Sequence, residues 1–310
     1  MKTAYLFPGQ GSQYVGMGRD LYEQYASSRE IFSRADTALE EGLSDLIFEG
    51  PEEILRETVN AQPALVAMSM ACLEAAREVL GNSLPTPSFV AGHSLGEYSA
   101  MVASGVFDFS TAVTIVRRRG LLMKDAGQKT SGSMAAIIGL NVSTLSRICK
   151  KSGIWIANIN GPDQIVISGE AEAVDTAIKA AKDKGAKMSI KLQVSGAFHT
   201  PLMQSAVSGM AELFNAQNVI RTPTIPIIGN TRARPVNTAF AVKSELLEQL
   251  CRCVRWKRTI EYMVRKNVTT FVEFGPGEVL TGLVKRICPT ATVMNIGSVK
   301  SIREQQSHSD

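Results

Sequence analysis

The chain has 310 residues, 45% of them hydrophobic and 20% charged, with a formal net charge of +4. That length suits one large domain, or a large one carrying an insertion. The apolar fraction excludes a disordered chain, and the small charge gives no ground for nucleic-acid binding. The apolar run Tyr5-Leu6-Phe7 stops at Pro8, which leaves no room for a signal peptide. The most apolar stretch, Pro63 to Leu73, is far shorter than the roughly 18 residues of a membrane span. An odd count of cysteines without a secretory signal reads as reduced thiols, hence a cytoplasmic setting. Cys251-Arg252-Cys253 has neither the spacing nor the second ligand pair of a zinc site, and no metal is expected.

In chain order, Lys2 to Phe7 reads as a buried strand ended by Pro8-Gly9, followed by the loop Gly9 to Gln13, rich in backbone donors. Helical patterns follow at Gly18 to Tyr25, Ile31 to Leu39 and Ala61 to Leu80, the last apolar nearly all round. Ser88 to Ala91 is a strand and Ser94 to Ala103 a helix, and an apolar-periodic helix carries Arg117-Arg118-Arg119. The middle of the chain alternates differently, with strands at 133–140, 154–158, 164–168 and 186–192 and helices at 142–150 and 172–184. This βαββαβ order is that of a ferredoxin-like split motif. It places a small ferredoxin-like subdomain at 127–197, inserted in a larger one formed by 1–126 and 198–310. The larger pattern resumes with a helix at 200–214, a strand at 225–229, helices at 242–249 and 256–265, a strand at 270–274 and a helix at 279–286. Strands alternating with helices argue an α/β fold with a mostly parallel sheet. The polar segment 301–310 is expected to be a flexible tail. From Cys251 to Thr290, eight basic residues face three acidic ones, a surface for an acidic partner or simply a solvated one.

Chemistry concentrates at Gly92-His93-Ser94-Leu95-Gly96. A serine hydroxyl needs a base beside it and donors aimed at the oxyanion it generates. A strand turning sharply into a helix, with glycines where side chains would clash, presents a serine at a helix N-terminus where negative charge is favoured. Ser94 is therefore the candidate nucleophile. Of the three histidines, His93 adjoins Ser94 and should point elsewhere from the turn, and His308 falls in the tail. His199, in Gly196-Ala197-Phe198-His199, follows a strand and precedes a helix, and is the candidate base. Three consecutive arginines cannot share one helix face, so at least one is expected to turn inward, where a guanidinium needs an anion; Arg119 is the candidate, although spacing alone favours a solvated basic turn.

Taken together these motifs resemble one family, the malonyl-CoA:acyl-carrier-protein transacylases, shared with the acyltransferase domains of polyketide and fatty-acid synthases. The resemblance runs from Phe7-Pro8-Gly9-Gln10-Gly11-Ser12-Gln13 through Gly92 to Ser99, Arg119-Gly120, Asn158-Ile159-Asn160, Gly196 to His199, Val254-Arg255-Trp256 and Glu273-Phe274-Gly275-Pro276-Gly277. The family usually has proline where this chain has Cys253, and commonly serine where it has Gly161. The resemblance implies a large α/β-hydrolase-like subdomain paired with the small ferredoxin-like one, the active site lying between them. It makes Ser94 the acyl-carrying nucleophile, His199 the general base and the amides of Gln10 and Leu95 the oxyanion hole. Arg119 becomes the clamp on a malonyl carboxylate, with Phe198 beside the base favouring malonyl over methylmalonyl, and the main chain of Gln249 orients the histidine. The implied partners are malonyl-CoA and an acyl carrier protein whose phosphopantetheine thiol accepts the group. No cofactor is implied, and family and size suggest a monomer. The alternatives are a hydrolase releasing acyl groups from carrier proteins, and a non-catalytic module docking an acidic carrier protein.

Overall fold

The computed structural model describes residues 2–194, 196–217 and 219–307; His308 lies outside the described residues. The strands are β1 (Lys2–Phe7), β2 (Pro87–Gly92), β3 (Gly132–Ile138), β4 (Trp155–Ile159), β5 (Gln164–Glu170), β6 (Met188–Lys191), β7 (Ile227–Ile228), β8 (Pro235–Val236), β9 (Val268–Phe274) and β10 (Thr292–Ile296). They form two sheets. The larger has the order β10-β9-β1-β2-β7-β8, parallel except for the β7–β8 edge pair. The smaller, β4-β5-β3-β6, is antiparallel throughout, with the helices Val142–Ser152 and Ala171–Asp183 as its crossovers. Numbered within itself that sheet runs 2-3-1-4, the ferredoxin-like order, and all four strands lie within 127–197. The molecule is therefore α/β, a mainly parallel sheet with a separate antiparallel one.

Strand side chains alternate between faces, so a strand buried on both faces reads as a continuous apolar run. In β1, Tyr5 and Phe7 join the core that holds the helices Thr58–Leu80 and Phe109–Lys129, while Ala4 and Leu6 face Trp256, Ile260, Leu280 and Leu283 on the other side. The small sheet divides likewise: Ala135, Ile137, Ile165 and Ile167 lie under its own two helices, and Met134, Ala136 and Val166 face the large core. Because β1, β2, β7 and β9 are parallel, their C-terminal ends share one edge, where open α/β sheets bind ligands.

Two expectations give way. The Thr58–Leu80 helix begins before Ala61 and contains Pro63. Proline cannot donate to the carbonyl four residues back, and that carbonyl, Val59 O, accepts Arg117 Nη1 at 3.2 Å instead. The flexible tail expected from 301 is replaced, over its described part, by the helix Val299–Ser307. Ile302 is buried, and the Val299 amide donates to Asp20 Oδ2 at 2.7 Å, which satisfies one of the free donors of a helix start.

Candidate active site

β2 runs into the helix Gly96–Ala103 through His93-Ser94-Leu95, a turn with no room for side chains at its ends. A Cβ on Gly92 would sit 1.9 Å from the Gly96 carbonyl carbon, and one on Gly96 would sit 2.1 Å from Phe7 O. Only glycine fits both places. Ser94 itself is held at φ 51°, a left-handed conformation that costs a non-glycine residue about 1–3 kcal/mol and is typical of a nucleophile elbow. The strain is supported from both sides: the Ser94 amide donates to Asn230 Oδ1 at 2.7 Å, and Ser94 O accepts Gln249 Nε2 at 2.8 Å.

Ser94 Oγ lies 2.8 Å from His199 Nε2, and His199 Nδ1 lies 2.7 Å from Gln249 O. A carbonyl can only accept, so Nδ1 carries the proton and Nε2 presents its lone pair to the serine hydroxyl. Gln249 is in the last turn of the helix Ala239–Cys251, where carbonyls lack partners within the helix. A main-chain oxygen thus takes the place that a carboxylate has in a Ser-His-Asp triad. Burial lowers the His199 pKa to about 3; the Gln249 carbonyl opposes the shift, and Arg119 and His93 add to it.

Arg119 projects from the helix Phe109–Lys129 and is 1% exposed. The anion expected beside it is not in contact: Nη1 donates to Gln62 Oε1 at 2.7 Å and Nη2 to Gln249 Oε1 at 2.9 Å, both neutral amides. Its guanidinium carbon lies 5.5 Å from the Tyr98 ring centroid. The helix comes this close because position 120 is glycine, where a Cβ would lie 2.8 Å from Val59 Cα.

A cleft of about 650 Å³ opens over these groups and brings together Ser94, His199, Arg119, Phe198, Gln10 and Leu95. Its far wall is the small sheet's free face, Met134, Ala136 and Val166. Among the described residues the amides of Gln10 and Leu95 donate to no group of the chain. Gln249 is behind the cleft, fully buried. His93 is engaged by Asn160, its Nε2 lying 2.8 Å from Asn160 Oδ1, and not by Ser94.

Sequence reasoning assigned no role to Glu97, Asn230 or Gln62, all fully buried here. Each left a faint signal. Glu97 is the one charged residue of its helix, Gln62 an amide near the start of the most apolar one, and Asn230 follows a strand at the edge where ligands bind.

The model of the acyl transferase domain family matches residues 4–306. The chain belongs to this family. It is 46% identical over 291 residues to a malonyl CoA-acyl carrier protein transacylase of Bacillus subtilis (strain 168), covering 92% of this chain and 90% of that one. The transacylase of Escherichia coli (strain K12) is 40% identical over 294 residues, covering 93% and 94%. Among solved structures, an acyl-carrier-protein-S-malonyltransferase from Bartonella henselae matches with a TM-score of 0.93 at 42% identity, covering 100% of this chain and 99% of that one. A malonyl-transacylase in complex with a type II PKS acyl-carrier protein matches with a TM-score of 0.93 at 38% identity, covering 99% and 100%.

Proposed function

We propose that the chain moves malonyl from coenzyme A to the phosphopantetheine thiol of an acyl carrier protein, through a malonyl ester of Ser94, in fatty-acid or polyketide biosynthesis. One observation carries the reading: a buried guanidinium, held by two neutral amides, shares the cleft with a hydrogen-bonded serine and histidine. A buried cation without a contacting anion favours a ligand that brings one, and malonyl has the free carboxylate that acetyl lacks. This arrangement also speaks against the hydrolase alternative, which has no use for such a clamp.

Ser94 Oγ attacks the thioester carbonyl carbon as its proton passes to His199 Nε2. The amides of Gln10 and Leu95 take the oxyanion. The carbon–sulfur bond then breaks, and the coenzyme A sulfur leaves with the electron pair and takes the proton from His199. In the second half the carrier thiol gives its proton to His199 and attacks the ester carbon. The carbon–oxygen bond breaks and Ser94 recovers its proton, closing a ping-pong cycle. Gln249 O orients the base, Arg119 holds the malonyl carboxylate, and Phe198 narrows the pocket beside the α-carbon. The steps draw on no metal and no cofactor of the enzyme's own. The same reading keeps the expectations of a cytoplasmic monomer and of a small subdomain spanning 127–197.

The test is intact-mass measurement after incubation with malonyl-CoA. The unaltered chain is expected to gain one malonyl group, hold it in the absence of carrier protein and pass it on when carrier is added, with little free malonate. Ser94→Ala is expected to gain none, and labelling that survives this substitution sinks the assignment.

A further inference from the structure

We infer that Glu97 is a positioning residue that couples the placement of Arg119 to that of Ser94 through the side chain of Gln249. The inference rests on the malonyl-transfer reading of the cleft.

Glu97 lies in the first turn of the helix Gly96–Ala103 and is fully buried. Oε1 accepts the Asn230 amide at 2.6 Å and Oε2 accepts Gln249 Nε2 at 2.5 Å. Each of these residues in turn grips the elbow: Asn230 Oδ1 takes the Ser94 amide at 2.7 Å, and Gln249 Nε2 donates to Ser94 O at 2.8 Å. The amide oxygen of Gln249 then points the other way, to Arg119 Nη2 at 2.9 Å. Asn230 is steadied from its far side as well, since its neighbour Thr231 donates its amide to a second buried carboxylate, Glu245 Oε1, at 2.7 Å.

The polarity of this chain of bonds is fixed at both ends. Arg119 has only donors, so the Gln249 oxygen must face it; the Gln249 nitrogen must then find acceptors, which Glu97 and Ser94 O supply. Glutamine at position 97 has the same shape but one donor too many. With its oxygen on the Asn230 amide, its NH₂ meets the NH₂ of Gln249. Turned over, its NH₂ meets the Asn230 amide. If Gln249 turns over instead, its NH₂ meets Arg119. Every placement leaves two donors facing each other in a buried site, and relief comes only by moving Arg119, Ser94 or both.

The experiment compares Glu97→Gln with the unaltered enzyme for malonyl-CoA and acetyl-CoA, measuring kcat and KM for each alongside thermal unfolding. Misplacement of about 1 Å costs on the order of 10²-fold in rate, so malonyl kcat/KM is expected to fall by about that factor. The malonyl KM rises, and the malonyl-to-acetyl ratio drops at least about tenfold because only malonyl depends on Arg119. A role confined to fold stability would lower both substrates together, so an unchanged ratio overturns the inference. Should Glu97→Gln not fold, Glu97→Asp carries the same comparison. Its carboxylate is one methylene too short to reach both amides, the ratio is again expected to fall, and an unchanged ratio is again fatal. Failure of the unaltered enzyme to acquire malonyl at all would remove the underlying reading, whereas an unchanged ratio in an enzyme that does acquire it removes this inference alone.

Discussion

At the scale of single residues the chemistry turns on a histidine kept neutral. His199 donates from Nδ1 to a main-chain oxygen, and burial with the nearby Arg119 cation takes its pKa down to about 3. A depressed pKa leaves the imidazole unprotonated over the whole neutral range, as the proposed role of base requires. The initial rate of malonyl-ester formation is therefore expected to be flat from about pH 8 to about pH 5.5, where a histidine at its ordinary value would lose about nine-tenths of its activity. Rapid-quench labelling measures it, and a midpoint near 6.5 contradicts the assignment. The same shift bears on stability. Below about pH 6.5 the unfolded chain takes up a proton that the folded one refuses, so this histidine's contribution is present above that pH and is lost progressively as pH falls toward 3. Arg119 gives the second test. Arg119→Ala is expected to lower malonyl kcat/KM by at least about 10²-fold, or about 3 kcal/mol, while leaving acetyl transfer unchanged or faster; a parallel loss for both acyl groups refutes the clamp. The expectation for His199 rested on the chain having only three histidines, that for Ser94 on its glycine-flanked string, and the role expected of Arg119 on the family resemblance. Glu97 and Asn230 were not, since they meet their partners across 152 and 136 residues of sequence, and no local spacing records such a bond.

At the scale of elements, the glycine-flanked string foretold a strand turning into a helix, but placed the helix start at Ser94. The structure begins it at Gly96 and leaves Ser94 left-handed. Periodicity cannot show that difference, because a single residue with positive φ interrupts no apolar pattern. The short helices Leu43–Glu49 and Glu52–Arg56 went unpredicted for a related reason: each is too brief to display a period. The helix Val299–Ser307 went unpredicted because its stabilising contact, Asp20, comes from the other end of the chain. The elbow's tightness is itself testable. Gly96→Ala drives a methyl into the Phe7 carbonyl, a clash with backbone that no rotamer relieves. It is expected to cost about 1–3 kcal/mol in urea unfolding and to abolish malonyl labelling even under conditions where the chain stays folded. Normal labelling of this variant would show that the turn has slack the geometry does not suggest.

At the scale of the whole molecule, the site exists only where the two sheets meet. The βαββαβ order was readable because each strand and helix of the small sheet shows its own period. The order of strands across the large sheet was not, since parallel neighbours are set by crossovers and not by adjacency in sequence. The joint between the sheets combines the apolar packing of Met134, Ala136, Ala157 and Val166 on the large core with a few polar contacts. Val254 donates to Ala157 O at 2.8 Å and accepts from the Ile159 amide at 2.9 Å, which ties β4 to the segment ahead of the helix Trp256–Arg265. One residue further on, Asn160 Oδ1 accepts from His93 Nε2, so the neighbour of Ser94 is fastened to the opposite wall of the cleft. The His93 ring also packs edge-on against Trp256, 5.5 Å between centroids, and is partly buried at the wall of the cleft. Asn160→Ala would remove the acceptor of that ring nitrogen, at a cost of about 1 kcal/mol. The wall carrying Met134, Ala136 and Val166 would then be less firmly held over Ser94. The expected result is a lower urea midpoint and a raised KM for malonyl-CoA, while a small, neutral serine-directed fluorophosphonate still modifies Ser94 at its usual rate, because the elbow and His199 are untouched. Loss of fluorophosphonate reactivity in step with malonyl transfer would mean instead that His93 acts on the nucleophile itself, and that the two walls of the cleft do not depend on this bond for their spacing.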